Sequence, residues 1–192
     1  MNYLAHLLFS GDDPEWQIGG LLGDFVKGPL CGRYPPGIEA GIRRHRSIDA
    51  LCAGLPATRE LVATFASPWR RYAGIAIDVM FDHRLALDWG RYHPQPLAEF
   101  CRSFYRALTA RRALLPERAR AFCDRAPGQR LLESYRDPDR ARLVLAGIGR
   151  RLARPVPLEA MWDLLAVRQA AVSEAFPRTM AAVACSLASA EP

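Results

Sequence analysis

An apolar helix that carries two carboxylates must find them a cation, and residues 75–83, Ile-Ala-Ile-Asp-Val-Met-Phe-Asp-His, impose that requirement on this chain. Asp78 and Asp82 are four residues apart, so both fall on one helical face. Two anions on such a face repel each other and lose hydration unless a cation stands between them. A divalent metal is the simplest such cation. Partners of the same chemical kind occur at His6, at Asp24 and at His45 with Asp49, again four apart on one helix.

Around this stretch the sequence reads as helix throughout. Residues 2–10 form a short apolar helix with His6 among leucines. Asp13-Pro14 pairs an N-cap with proline at the first helical position and opens a second helix toward Phe25. A Gly- and Pro-rich loop covers Gly28–Pro35, and Pro36 opens a helix through His45, Asp49 and Cys52. Gly54-Leu55-Pro56 ends it, and Thr58–Phe65 follows. Ser67-Pro68 starts the central helix, which is expected to run on to Trp89 or Tyr92. Leu97–Leu108, Pro116–Cys123, Gly128–Tyr135 and Asp137–Leu152 read as further helices. Pro157 opens a last long one to Phe176, with Pro177 expected to bend it or divide it from a tail helix ending at Leu187. No segment alternates like a strand and no repeat appears. The expected fold is all-α, a single irregular helical domain over residues 1–192 with about eight to ten helices.

The chain has 192 residues, enough to bury a real core. No apolar run approaches the roughly 18–20 residues of a membrane span. Met1–His6 has no basic stretch before an apolar one, so no secretory signal is expected. Five widely spaced cysteines without a Cys-x-x-Cys argue against a disulfide framework or structural zinc, and fit a reducing cytoplasm. The formal charge is +6, and Lys27 is the only lysine. An arginine-rich surface favours an anionic partner, though a genomic bias toward arginine would produce the same composition.

Three of the four histidines, and the acids that interrupt apolar periodicity, lie in the first 83 residues. Chemistry is therefore expected within residues 1–93, with 94–192 as scaffold or partner surface. Singly, each residue has an ordinary role: a buried imidazole, a helix-surface ion pair, a capped turn. Their number on apolar faces argues for a shared site, and mixed His and Asp donors suit a catalytic metal with open positions. No Gly-x-Ser-x-Gly elbow and no phosphate-binding Gly-x-x-x-x-Gly-Lys-[Ser/Thr] loop is present.

Leu21-Leu22-Gly23-Asp24-Phe25-Val26-Lys27-Gly28 resembles the signature of the HD superfamily of metal-dependent phosphohydrolases, roughly Leu-Leu-His-Asp-Ile-Gly-Lys-Gly. Asp24 and Lys27 are kept, while Gly23 stands where that family has a histidine. A fuller resemblance covers nearly the whole chain. The motifs at 1–7, 23–28 and 45–49 (His-Arg-Ser-Ile-Asp), with 78–83, Tyr135-Arg136-Asp137 and Phe176-Pro177-Arg178, are similar in order to the bacterial acyl carrier protein phosphodiesterases.

That resemblance implies a distorted HD-like helical domain. It also implies hydrolysis of the phosphodiester joining 4′-phosphopantetheine to a serine of holo-acyl carrier protein, an acidic protein, with manganese as the metal and magnesium or another divalent ion as alternatives. The expected ligands are His6, Asp24 and Asp78, with His45 or His83 filling the gap left by Gly23. Asp49 would orient His45, and Asp82 would act as ligand or as base. Lys27 or Arg46 would neutralise phosphate charge. Arg43 and Arg44, with Arg46, and Arg70 and Arg71 are the expected contacts for the acidic partner. An HD-type nucleotide phosphohydrolase is the rival enzyme. A helical module binding nucleic acid through arginine ranks last, for want of a helix-turn-helix pattern.

Overall fold

The computed structural model describes residues 1–189. Within them lie ten α-helices and no strand. They are α1 (Tyr3–Phe9), α2 (Pro14–Leu22), α3 (Pro36–Gly54), α4 (Pro56–Ala63), α5 (Ala73–Leu87), α6 (Leu97–Ala110), α7 (Glu117–Gln129), α8 (Pro138–Arg150), α9 (Ala160–Ala166) and α10 (Gln169–Ala188). Four single 3-10 turns separate some of them. None of the helices is long and apolar enough to cross a membrane. All five cysteines are free thiols.

The proline-led starts form as read. The Asp13 side chain accepts from Glu15 N at 2.7 Å and Trp16 N at 3.2 Å, and Asp137 accepts from Asp139 N at 2.9 Å. Three boundaries differ. The central helix is broken: residues 69–72 make a 3-10 turn before α5, and a second such turn covers Trp89–Arg91. No separate helix forms over 128–135. Instead α7 continues through Pro127 to Gln129 and is capped by Arg130, whose φ of 47° is left-handed and lets its N–H and that of Leu131 reach back to the last carbonyls.

The final helix divides ten residues before Pro177, which lies inside α10. Arg168 makes the break. Its guanidinium donates to the Leu164 carbonyl at the end of α9 (2.6 Å) and to the Thr64 carbonyl (3.1 Å), and stacks on Phe65 at 4.5 Å. A side chain thus satisfies carbonyls that the next helical turn would have used.

The described residues gather into two compact units. The first takes residues 1–2, 48–84 and the chain from 136 onward. In it α10 packs on α4, with Thr58 and Thr179 hydroxyls 3.5 Å apart, and Phe176 meets Phe81 edge-on at 5.5 Å. The second takes residues 3–47 and 85–135. There α1 packs on α2, α2 on α6, and α6 on α7, around Leu4, Leu7, Ile18, Leu21, Phe104 and Leu108.

The second unit depends on one close helix crossing. A Cβ added to Gly19 of α2 would overlap the Ile38 carbonyl of α3, and one added to Gly41 of α3 would lie 2.8 Å from Gly19 Cα. The two backbones meet with no side chain between them, which only glycine permits. Gly41→Ala is expected to destabilise the protein by about 1–3 kcal/mol, the usual range for overpacking. Gly74→Ala, at a helical position with open space, is expected to stabilise by about 0.5–1 kcal/mol. Paired thermal melts check both; equal shifts would mean that the crossing relaxes freely.

Candidate metal centre

Two helix faces in the second unit create the central constellation. Gly19 on α2 and Gly23 just after it leave a furrow facing α3, and His45 of α3 turns its ring into it. A Cβ on Gly23 would overlap the His45 imidazole, so His45 occupies the space that a side chain at position 23 would need. His45 Nδ1 lies 2.7 Å from the Gly20 carbonyl. A carbonyl can only accept, so Nδ1 carries a proton, and the neutral ring would have its Nε2 lone pair free to bind an ion. Nε2 faces Asp24 Oδ1 at 3.8 Å.

His6 of α1 completes the group. Its ring is fully buried and stacks on His45, with centroids 3.6 Å apart and planes 16° from parallel. Each ring offers a nitrogen within 4.8 Å of the other. Ligand atoms about 2.1 Å from a shared ion stand at most about 4.2 Å apart, so the 3.8 Å between Nε2 and the carboxylate fits two donors of one ion. A histidine that gives its second N–H to a backbone carbonyl is the usual arrangement of a metal ligand. His45 and Asp24 therefore fit two donors of one divalent ion.

The turn that carries Asp24 is held from two sides. The Arg46 guanidinium donates to the Val26 carbonyl at 2.9 Å. Phe25 stacks on Tyr3 at 6.3 Å and meets Phe122 of α7 edge-on at 6.4 Å, while Tyr3 and Phe122 are 5.1 Å apart. Lys27, on the same turn, is exposed. Neither Tyr3 nor Phe122 stood out in the sequence, because an aromatic on an apolar helix reads as core.

In the first unit, Asp78 has a cation of its own. The α-ammonium of Met1 lies 2.9 Å from Asp78 Oδ1 and 3.6 Å from Asp49 Oδ1. Asp49 is on α3, one turn beyond His45. Burial disfavours the charged amine, but the Asp78 and Asp49 carboxylates outweigh it and push its pKa up from 8.0 to about 11. Asp82, one turn after Asp78, is fully buried, and His83 sets its ring against Trp162 of α9 at 5.1 Å. Sequence patterns pass over the amine because no side chain marks it.

A model of the acyl carrier protein phosphodiesterase family matches residues 1–183. The chain belongs to that family. Proteins named acyl carrier protein phosphodiesterase from Salmonella agona and Escherichia coli O157:H7 are 36% and 37% identical to it. They align over 96% and 94% of this chain and 98% and 96% of their own lengths. No solved structure matches. The ordered motifs thus led to the right family, and the all-α reading holds for the described residues.

In this member of the phosphodiesterase family, the arginines expected to meet a partner are mostly engaged within the fold. Arg44 donates to the Phe9 carbonyl at 3.0 Å and stacks on Trp16 at 4.3 Å; Arg70 donates to the Phe65 carbonyl at 2.7 Å. Arg43 lies 3.6 Å from Glu39, and Arg71 stacks on Tyr72 at 4.9 Å.

The Met1 ammonium also sets a pH dependence. Its folded pKa lies above its unfolded value, so its stabilisation is complete below pH 8 and is lost as pH rises toward 11. Cys52, pushed by burial from 9.0 to about 11, acts in the same direction. Asp78→Asn is expected to flatten the alkaline part of the stability profile. Thermal melts of both proteins from pH 7.5 to 10.5 test this, and parallel curves would dismiss the ion pair as a stabilising element.

Proposed function

We propose that this chain removes the 4′-phosphopantetheine group from holo-acyl carrier protein, using a divalent metal held by His6, His45 and Asp24. One observation carries the metal assignment. His45 is locked by the Gly20 carbonyl with its Nε2 lone pair turned toward the Asp24 carboxylate. The family to which the chain belongs supplies the reaction class: it is a phosphoric diester hydrolase.

A divalent ion, manganese by the family resemblance, would supply Lewis-acid polarisation of the phosphoryl oxygens and a hydroxide-like nucleophile at neutral pH. The chain's own residues do the rest. Gly20 fixes the tautomer and angle of His45. Arg46 and the Tyr3–Phe25–Phe122 cluster hold the turn that presents Asp24. Lys27, exposed on that turn, neutralises charge on the phosphoryl group as the serine oxygen departs. The products are apo-acyl carrier protein, with its serine hydroxyl restored, and free 4′-phosphopantetheine.

Gly23 then has a physical meaning. The imidazole that the related signature places on α2 arrives here from α3, and the missing side chain at 23 is the space it enters.

The test is incubation of purified protein with holo-acyl carrier protein and manganese, followed by a mass spectrum for loss of the prosthetic group. His45→Ala is expected to weaken manganese affinity by about 10-fold or more and to abolish release. His83→Ala should leave metal affinity within a factor of about two, since its ring is packed against Trp162. Equal manganese affinity in His45→Ala and the unmodified protein would sink the assignment, whatever the turnover.

A further inference from the structure

Many of the arginines are held within the fold. Arg44, Arg46, Arg70 and Arg168 donate to backbone carbonyls of their own units. Arg112 grips Asp124 through two bonds of 2.7 Å, and Arg142 grips Asp163 at 2.7 and 3.0 Å. A cleft between α6 and α7 in the second unit, of about 690 Å³ and open to solvent, gathers three that are not. Arg102 and Arg106 of α6 and Arg130 at the end of α7 line it, together with Ala98, Ala110 and Pro127.

These three guanidiniums are available. Among the described residues Arg102 has no hydrogen bond or ion pair. Arg106 has only the Ser103 hydroxyl at 3.4 Å, and Arg130 touches Glu133 loosely at 3.5 Å while 69% exposed. Glu133 is the one carboxylate on the wall, and it is occupied: the Tyr105 hydroxyl donates to it at 3.0 Å and accepts from Leu132 N at 2.9 Å. Three cations thus face the opening against one anion.

We propose that this cleft seats an acidic helix of the protein substrate. The proposal rests on the reading above that the substrate is an acidic carrier protein. The spacing matches a helix as the occupant. Arg102 and Arg106 are one turn apart on one face of α6, so they repeat at about 6 Å along the axis. Carboxylates one turn apart on an acidic helix repeat at the same interval, and Arg130 meets them from the opposite wall. The cleft also shares a helix with the metal centre: α7, which supplies Pro127, packs through Phe122 on Phe25, next to Asp24.

The experiment reverses charge in the full-length protein. Arg102→Glu with Arg106→Glu is expected to weaken the Kd for apo-acyl carrier protein and raise KM for the holo form by about 10-fold or more, with kcat within about two-fold. The salt dependence of KM should flatten, because steering by exposed charge is what salt screens. A small phosphodiester substrate should be turned over unchanged. Arg140→Glu with Arg150→Glu makes the same change in net charge on α8 and should do neither. Circular dichroism checks folding, which these exposed side chains do not support.

Three results overturn the proposal. Kd and KM may stay put in the cleft variant. The α8 variant may weaken binding equally, which would make the effect one of net charge. Or the cleft variant may lose affinity for a short-chain fatty acid while carrier-protein binding is intact, which would give the cleft to a small amphiphile. Failure of the functional reading looks different: the unmodified protein would release no prosthetic group, while the Kd for apo-acyl carrier protein would still report on the cleft.

Discussion

Everything distinctive about the second unit depends on two helices touching backbone to backbone. Where Gly19 meets Gly41, α2 and α3 approach more closely than any side chain would allow. That approach puts the His45 ring against Gly23 and its Nδ1 on the Gly20 carbonyl. A buried imidazole beside an ordinary helix would find no such acceptor, because helix carbonyls are already bonded along the axis. Gly20 lies in the last turn of α2, where its carbonyl takes the side-chain donor that α3 brings to it. The crossing, the end of the helix and the tautomer are therefore one arrangement.

The chain itself supplies a cation to one of the two carboxylates on α5. Asp78 lies on an apolar helix and holds a cation, but that cation is the Met1 ammonium. A buried ammonium between two carboxylates is stabilised only because both acids face it; loss of one leaves the burial cost uncompensated. The same logic of paired acids and one cation thus has a local solution in the first unit. In the second unit His45 instead sets its Nε2 against the Asp24 carboxylate at 3.8 Å.

How far the sequence could be read follows from what kind of signal each feature leaves. Asp13-Pro14 and Asp137-Pro138 were legible because capping is local: the side chain that marks the start also makes the bond. The break between α9 and α10 was not, because Arg168 makes it by reaching residues a hundred positions away, while Pro177 advertises a break that does not occur. His6, Asp24 and His45 were legible as donors by residue type. The partner of His45 Nδ1 was not, since a carbonyl has no residue identity. The arginines show the same limit. Their number was plain, but whether a guanidinium is spent on its own backbone or left facing a cleft depends on contacts across the fold.

Gly23 shows why a departure from a motif need not be a loss. A position that carries a ligand on one helix and a position that carries it on the facing helix compete for the same volume. With the backbones as close as Gly19 and Gly41 bring them, only one imidazole fits. A glycine at 23 is therefore the necessary counterpart of a histidine at 45, as long as the ring enters from α3. The motif reads as broken along the chain, and the volume it would occupy is full.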